Sequence, residues 1–79
     1  MTPDLRIADE VMCELARARA KFPPFHSGHE GYAVLAEEID ELWAEVKGQY
    51  GPDRLTAMRK EAIQVAAMAI RFVQDVCDD

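Results

Sequence analysis

Tyr32, Leu35, Ile39, Leu42 and Val46 recur at intervals of 3, 4, 3 and 4 residues, and no other feature of the chain constrains its fold as much. Side chains three and four apart share a helix face. The stretch is therefore a narrow apolar seam built to pack against another helix. Ser27-Gly28-His29-Glu30 marks its start as a capping box, in which Ser27 and Glu30 satisfy each other's free N–H groups. Gly48, directly after Lys47, is a natural stop.

Two more helices flank this one. The first runs from Pro3 to about Lys21, with Thr2 as N-cap and Pro3 in the first turn, where a missing N–H costs nothing. Leu5, Ala8, Met12, Leu15 and Arg19 recur along it, with Val11 beside them. Pro23-Pro24 ends it, because the residue before a proline is pushed out of the helical region. The third follows Gly51-Pro52-Asp53, with Asp53 as its cap. Met58, Ala62, Val65, Ala69, Phe72 and Val76 form its main face, and Ile63, Ala66, Ala67 and Ile70 add apolar surface on another side. No segment alternates with period two, so no sheet is expected. The chain reads as one all-α domain over residues 1–79, three helices joined by short turns with antiparallel neighbours.

Seventy-nine residues give a core that is marginal alone. A third helix apolar on two sides needs covering from several directions. A homo-oligomeric helical bundle, dimer or tetramer, is the expected form. Ala62, Ala66, Ala67 and Ala69 would allow close helix approach there, with Tyr32 and Trp43 packing at helix or subunit contacts.

Hydrophobic content of 49% and charged content of 30% fit a folded protein. A net charge of −6 argues against nucleic acid as a partner. Cys13 and Cys77 belong to no disulfide or zinc pattern, and the N-terminal stretch lacks a basic start followed by an apolar run. A cytoplasmic setting is the simplest expectation. The longest apolar run, Val65 to Ile70, is too short to span a bilayer.

Beside the apolar seams lie carboxylates. Glu30, Glu37, Glu38, Glu41 and Glu45 fall on one flank of the second helix, and Glu61 and Gln64 flank the seam of the third. When the seams pack, the flanks meet. Glu38, Glu41 and Glu61 then offer three carboxylates and Gln64 a neutral carbonyl oxygen, a hard-oxygen set suited to Mg²⁺ or Mn²⁺. In the plainer reading these are solvated surface charges, with Glu41 and Glu45 paired to Lys47 or to basic residues elsewhere at small gain.

Glu37-Glu38-Ile39-Asp40-Glu41 followed by Glu61-Ala62-Ile63-Gln64 resembles the Glu-Glu-x-x-Glu … Glu-x-x-Asp signature of the MazG-like all-α nucleoside triphosphate pyrophosphohydrolases. The stretches His29 to Trp43 and Gln64 to Ala69 also look like the short members found in phages and mobile elements. The resemblance implies Mg²⁺ on Glu38, Glu41 and Glu61, and a water attacking the α-phosphorus of a nucleoside triphosphate. Monophosphate and pyrophosphate are the products. It implies that Glu37 or Glu38 orients or deprotonates that water, and that the role is clearance of a non-standard or excess nucleotide. Gln64 departs from the family's aspartate and removes one anionic ligand.

Lys21, Arg59 and Lys60 are the candidates for neutralising a triphosphate, and His26 or His29 for lining the substrate mouth. The alternative reading is a non-catalytic helical oligomerisation or interaction module that binds metal or nucleotide without turnover.

Overall fold

The computed structural model describes residues 2–48 and 50–78. Three helices follow in order, α1 (Pro3–Lys21), α2 (Gly28–Val46) and α3 (Arg54–Phe72), and a π-helical turn, Val73–Cys77, extends α3. No strand occurs among the described residues. The expected N-cap side chains of the first two helices are in place, but only the Ser27 half of the capping box forms among the described residues. Thr2 Oγ1 accepts the Leu5 N–H at 3.3 Å, and Ser27 Oγ accepts the Glu30 N–H at 3.1 Å.

The turn between α2 and α3 works differently from the sequence expectation. Asp53 occupies the cap position of α3, yet its side chain makes no capping bond. Its backbone carbonyl accepts the Ala57 N–H instead. No described glycine has a positive φ, so Gly48 does not close α2 by a left-handed turn. Arg54 does that work from across the connection. Its guanidinium donates to the Val46 carbonyl at 2.6 Å, satisfying one of the orphan acceptors at the helix end.

α3 is the central element. It packs against both α1 and α2. Arg54 meets Val46 at one end of the α2–α3 pair, and Gly28 approaches Phe72 and Val76 at the other, so these two helices are antiparallel. The α1–α3 pair is parallel, because Glu10 meets Arg59 and Arg19 meets Asp75. The antiparallel expectation thus holds for consecutive helices: α2 opposes α3, and α1, being parallel to α3, opposes α2. The core is Val11, Leu15, Ala18, Phe25, Ala67 and Met68. It faces a different side of α1 from the expected line, since Leu5 is 61% exposed and Met12 is also largely outside. On α2 only Leu35 and Leu42 of the 3-4-3-4 seam are half-buried. Tyr32, Ile39, Trp43 and Val46 are exposed.

Gly31 is buried where α2 crosses two aromatic rings. A Cβ there would stand 2.7 Å from Phe72 Cδ2 and 3.1 Å from Phe25 Cδ2. Alanine normally stabilises a helix interior by about 0.5–1 kcal/mol over glycine. At this position the sign reverses. Two packed rings must shift, so Gly31→Ala is expected to cost about 1–3 kcal/mol. In a thermal melt, that is a fall of roughly 4–8 °C per kcal/mol lost. A melting point equal to or above that of the native chain would contradict this packing.

Candidate metal centre and adjoining cavity

Antiparallel packing of α2 on α3 sets residues 38 and 41 opposite 61 and 64. Glu38, Glu41 and Glu61 each offer a carboxylate oxygen, and these oxygens lie within 4.8 Å of one another. Opposite ligands of an octahedral Mg²⁺ stand about 4.2 Å apart. The donor chemistry is also right for a hard cation: three carboxylates, no sulfur and no imidazole.

Three carboxylates this close repel. Partial burial, then the charges of Glu41 and Glu61, a hydrogen bond with Glu41 and the charge of Glu37 push the Glu38 carboxyl up to about 7. Burial and the Glu41 charge raise Glu61 as well. From the ordinary 4.5 to about 7 the folded chain holds a proton at Glu38 that the unfolded chain has released. Stability without metal is therefore expected to fall as pH rises through that window. Thermal melts in chelator at about pH 5.5 and pH 7.5 should show the lower transition at the higher pH. Glu38→Gln should flatten the difference, and an unchanged difference would mean that other groups cause it.

Gln64 sits between two of these carboxylates. With its amide nitrogen turned toward them, it donates to Glu38 Oε2 at 3.0 Å and to Glu61 Oε2 at 3.1 Å, the orientation that satisfies ionised carboxylates. The opposite orientation of the same amide presents its oxygen to the site, as ligation of a cation by Gln64 requires.

α1 and α2 both rest on α3 and leave between them a cavity of about 550 Å³. Glu38 belongs to both the carboxylate cluster and the cavity wall. Glu37 and Gln64 line the same wall, and Lys21 and Lys60 bring positive charge to it. Phe25, Val34 and Met68 give an apolar lining. With Glu14 and Glu30 also in the lining, anionic and cationic groups face one apolar recess in equal number.

Other candidates lie elsewhere. Arg59 is paired with Glu10 beside a separate groove between α1 and α3. That pairing lowers the Glu10 carboxyl, first through the hydrogen bond to Arg59. His26 and His29 are exposed and do not border the cavity. Arg17 and Arg71, which the sequence analysis did not select, do border it. Arg17 follows Glu14 on α1 at i+3 and pairs with it at 3.1 Å, a spacing too common to stand out. Arg71 had a usable signal. It is a lone cation at the end of an apolar stretch, four residues before Asp75.

No family model matches the chain, and neither a curated protein nor a solved structure matches it. No helix among the described residues is long and apolar enough to cross a membrane.

Proposed function

We propose that the chain is a Mg²⁺- or Mn²⁺-dependent nucleoside triphosphate pyrophosphohydrolase of the MazG-like type. One observation carries the reading: Glu38, Glu41 and Glu61 converge from two helices within 4.8 Å, and Glu38 is shared with the wall of a cavity that Lys21 and Lys60 also border. Glu38, Glu41 and Glu61 hold the metal, which when bound offsets triphosphate charge and polarises the bond that breaks. Lys21 and Lys60 neutralise the remaining phosphate oxygens. Glu37, exposed at the cavity and outside the metal set, orients the attacking water. The apolar lining excludes water from the organic end of the substrate. House-cleaning of unwanted nucleotides is the cellular role that fits such an activity.

The test is pyrophosphate release from the four ribonucleoside and four deoxyribonucleoside triphosphates, with Mg²⁺ and with chelator. Metal-dependent release of pyrophosphate and monophosphate is expected. Its absence across the panel would leave the second reading, a helical interaction module without turnover. The Gln64 amide favours that reading, because its two hydrogen bonds hold the carboxylates together without a cation.

We also propose that the chain works as a homo-oligomer, a dimer or a dimer of dimers. A protomer of 8.9 kDa exposes 5783 Å², against about 4,800 Å² for a compact monomer of that mass. Tyr32, Ile39, Trp43 and Val46 share one exposed face of α2, with Trp43 56% and Tyr32 69% exposed. Light scattering at low micromolar concentration should report at least a dimer. Trp43→Glu should shift it to the protomer while leaving the helical signal. A native chain of protomer mass would contradict the proposal.

A further inference from the structure

We propose that Asp75, in the π-helical turn after α3, is a positioning residue for the cavity, holding the wall formed by Pro23 and Phe25 so that the cavity keeps its affinity for a nucleotide. The proposal rests on the nucleotide reading above. Asp75 does not itself border the cavity. It acts on the connection between α1 and α2, which contributes Phe22, Pro23 and Phe25 to the wall. Such a connection has few hydrogen bonds of its own, so something must fix it.

Two side chains one helical turn apart do so. Arg71 is 3% exposed, and its guanidinium lies 4.1 Å from the centre of the Phe25 ring and donates to the Pro23 carbonyl at 3.0 Å. Asp75 accepts the Phe25 backbone N–H at 3.1 Å and pairs with Arg19 of α1 at 3.2 Å. The carboxylate thus links the end of α3, the end of α1 and the cavity wall.

The backbone and one unpaired donor add to the geometric case. Residues 73–77 leave the α-helical pattern, with the Asp78 N–H bonded to the Val73 carbonyl at 2.9 Å. Single π-helical turns cost hydrogen-bond quality and recur at functional sites. Arg71 Nε is buried without a hydrogen-bond partner and stands 3.9 Å from Asp75. A buried donor left unpaired is costly. The carboxylate stays on the Phe25 N–H rather than closing on Arg71, which places the wall ahead of the ion pair. Burial works to raise the Asp75 carboxyl. The Phe25 N–H, with the bond and charge of Arg19 and the charge of Arg71, outweighs it and holds the pKa below the ordinary value. The group is therefore ionised at neutral pH.

The test is steady-state hydrolysis by the full chain and by Asp75→Asn across the eight triphosphates. Asparagine keeps the shape and an acceptor for the Phe25 N–H but cannot neutralise Arg19 and Arg71. KM should rise roughly tenfold, about 1.4 kcal/mol in binding. kcat should change by less than about threefold, and the rise in melting temperature on adding Mg²⁺ should match the native chain. Arg19→Gln, which alters an exposed partner and spares the core, should raise KM in the same direction by less. It decides the matter if Asp75→Asn does not fold. An unchanged KM, or a lower kcat at unchanged KM, would overturn the proposal while leaving the hydrolase reading intact. A native chain that neither binds nor hydrolyses any of the eight would overturn both.

Discussion

Ala67→Glu is expected to abolish cooperative folding. Ala67 lies on α3, the one helix that touches both others, and it is 0% exposed. Its neighbours in the core are Val11, Leu15, Ala18, Phe25 and Met68. A glutamate there must either bury its charge or be neutralised and still leave polar atoms unpaired, at several kcal/mol. It also adds volume where no space exists, at about 1–3 kcal/mol more. A domain of this size has roughly 4–12 kcal/mol in all. Circular dichroism and thermal unfolding should show loss of the transition, not merely a lower one. Ala16→Glu, on an exposed part of α1, should leave it within about 0.5 kcal/mol. A cooperative transition for Ala67→Glu near the native temperature would mean that α3 is not the core of the protomer.

That prediction separates two roles the sequence could not. Two apolar faces run along α3, and periodicity says that each is covered without saying by what. Ala67 and Ile70 read as subunit contact in the sequence. Ala67 is core within the protomer, and Ile70 packs against that core. On α2 the error ran the other way. The 3-4-3-4 row suggested a buried seam, yet Tyr32 and Ile39 are outside and Gly31 is buried. Glycine carries no hydrophobic signal, so a close approach built on its missing Cβ is invisible to pattern reading. Helix extents were legible because capping and proline chemistry are local: Thr2, Pro3, Ser27 and the prolines at 23 and 24 are enough. The Arg54 cap on Val46 and the Asp75 bond to Phe25 were not, since both cross between elements. For the candidate site, spacing alone grouped Glu38, Glu41 and Glu61, because i, i+3 neighbours on one helix need only one partner helix in register. The cationic side was harder. Lys21 and Lys60 border the cavity, Arg59 does not, and adjacent residues on a helix face different ways.

Gln64→Asp is expected to steepen the metal dependence of stability. With its nitrogen toward the site, the native amide donates to Glu38 and Glu61 at 3.0 and 3.1 Å and so holds two repelling carboxylates together. Aspartate removes both donors and adds a fourth carboxylate. Like charges about 4 Å apart repel by up to about 4 kcal/mol at the effective dielectric of a protein surface. In chelator the variant should lose about 1–3 kcal/mol of stability. In millimolar Mg²⁺ the same charge becomes attraction, because a carboxylate binds a hard cation far better than an amide does. The dissociation constant for Mg²⁺ should fall by roughly tenfold or more, about 1.4 kcal/mol. The melting temperature should then recover to the native value or above it, and hydrolysis should be equal or faster. Glu38→Gln is the mirror case. It relieves repulsion in chelator, so it should raise stability there, and it should remove the response to Mg²⁺ and most of the pyrophosphate release, on the order of a hundredfold. The two substitutions together leave little room for a generic charge effect. Screening by salt would help both variants in proportion to their net charge, whereas a metal centre helps one and abandons the other. If Gln64→Asp stays destabilised at saturating Mg²⁺ while sodium chloride at matched ionic strength rescues it equally well, the carboxylates of Glu38, Glu41 and Glu61 are surface charges and the cavity beside them serves something other than metal-assisted hydrolysis.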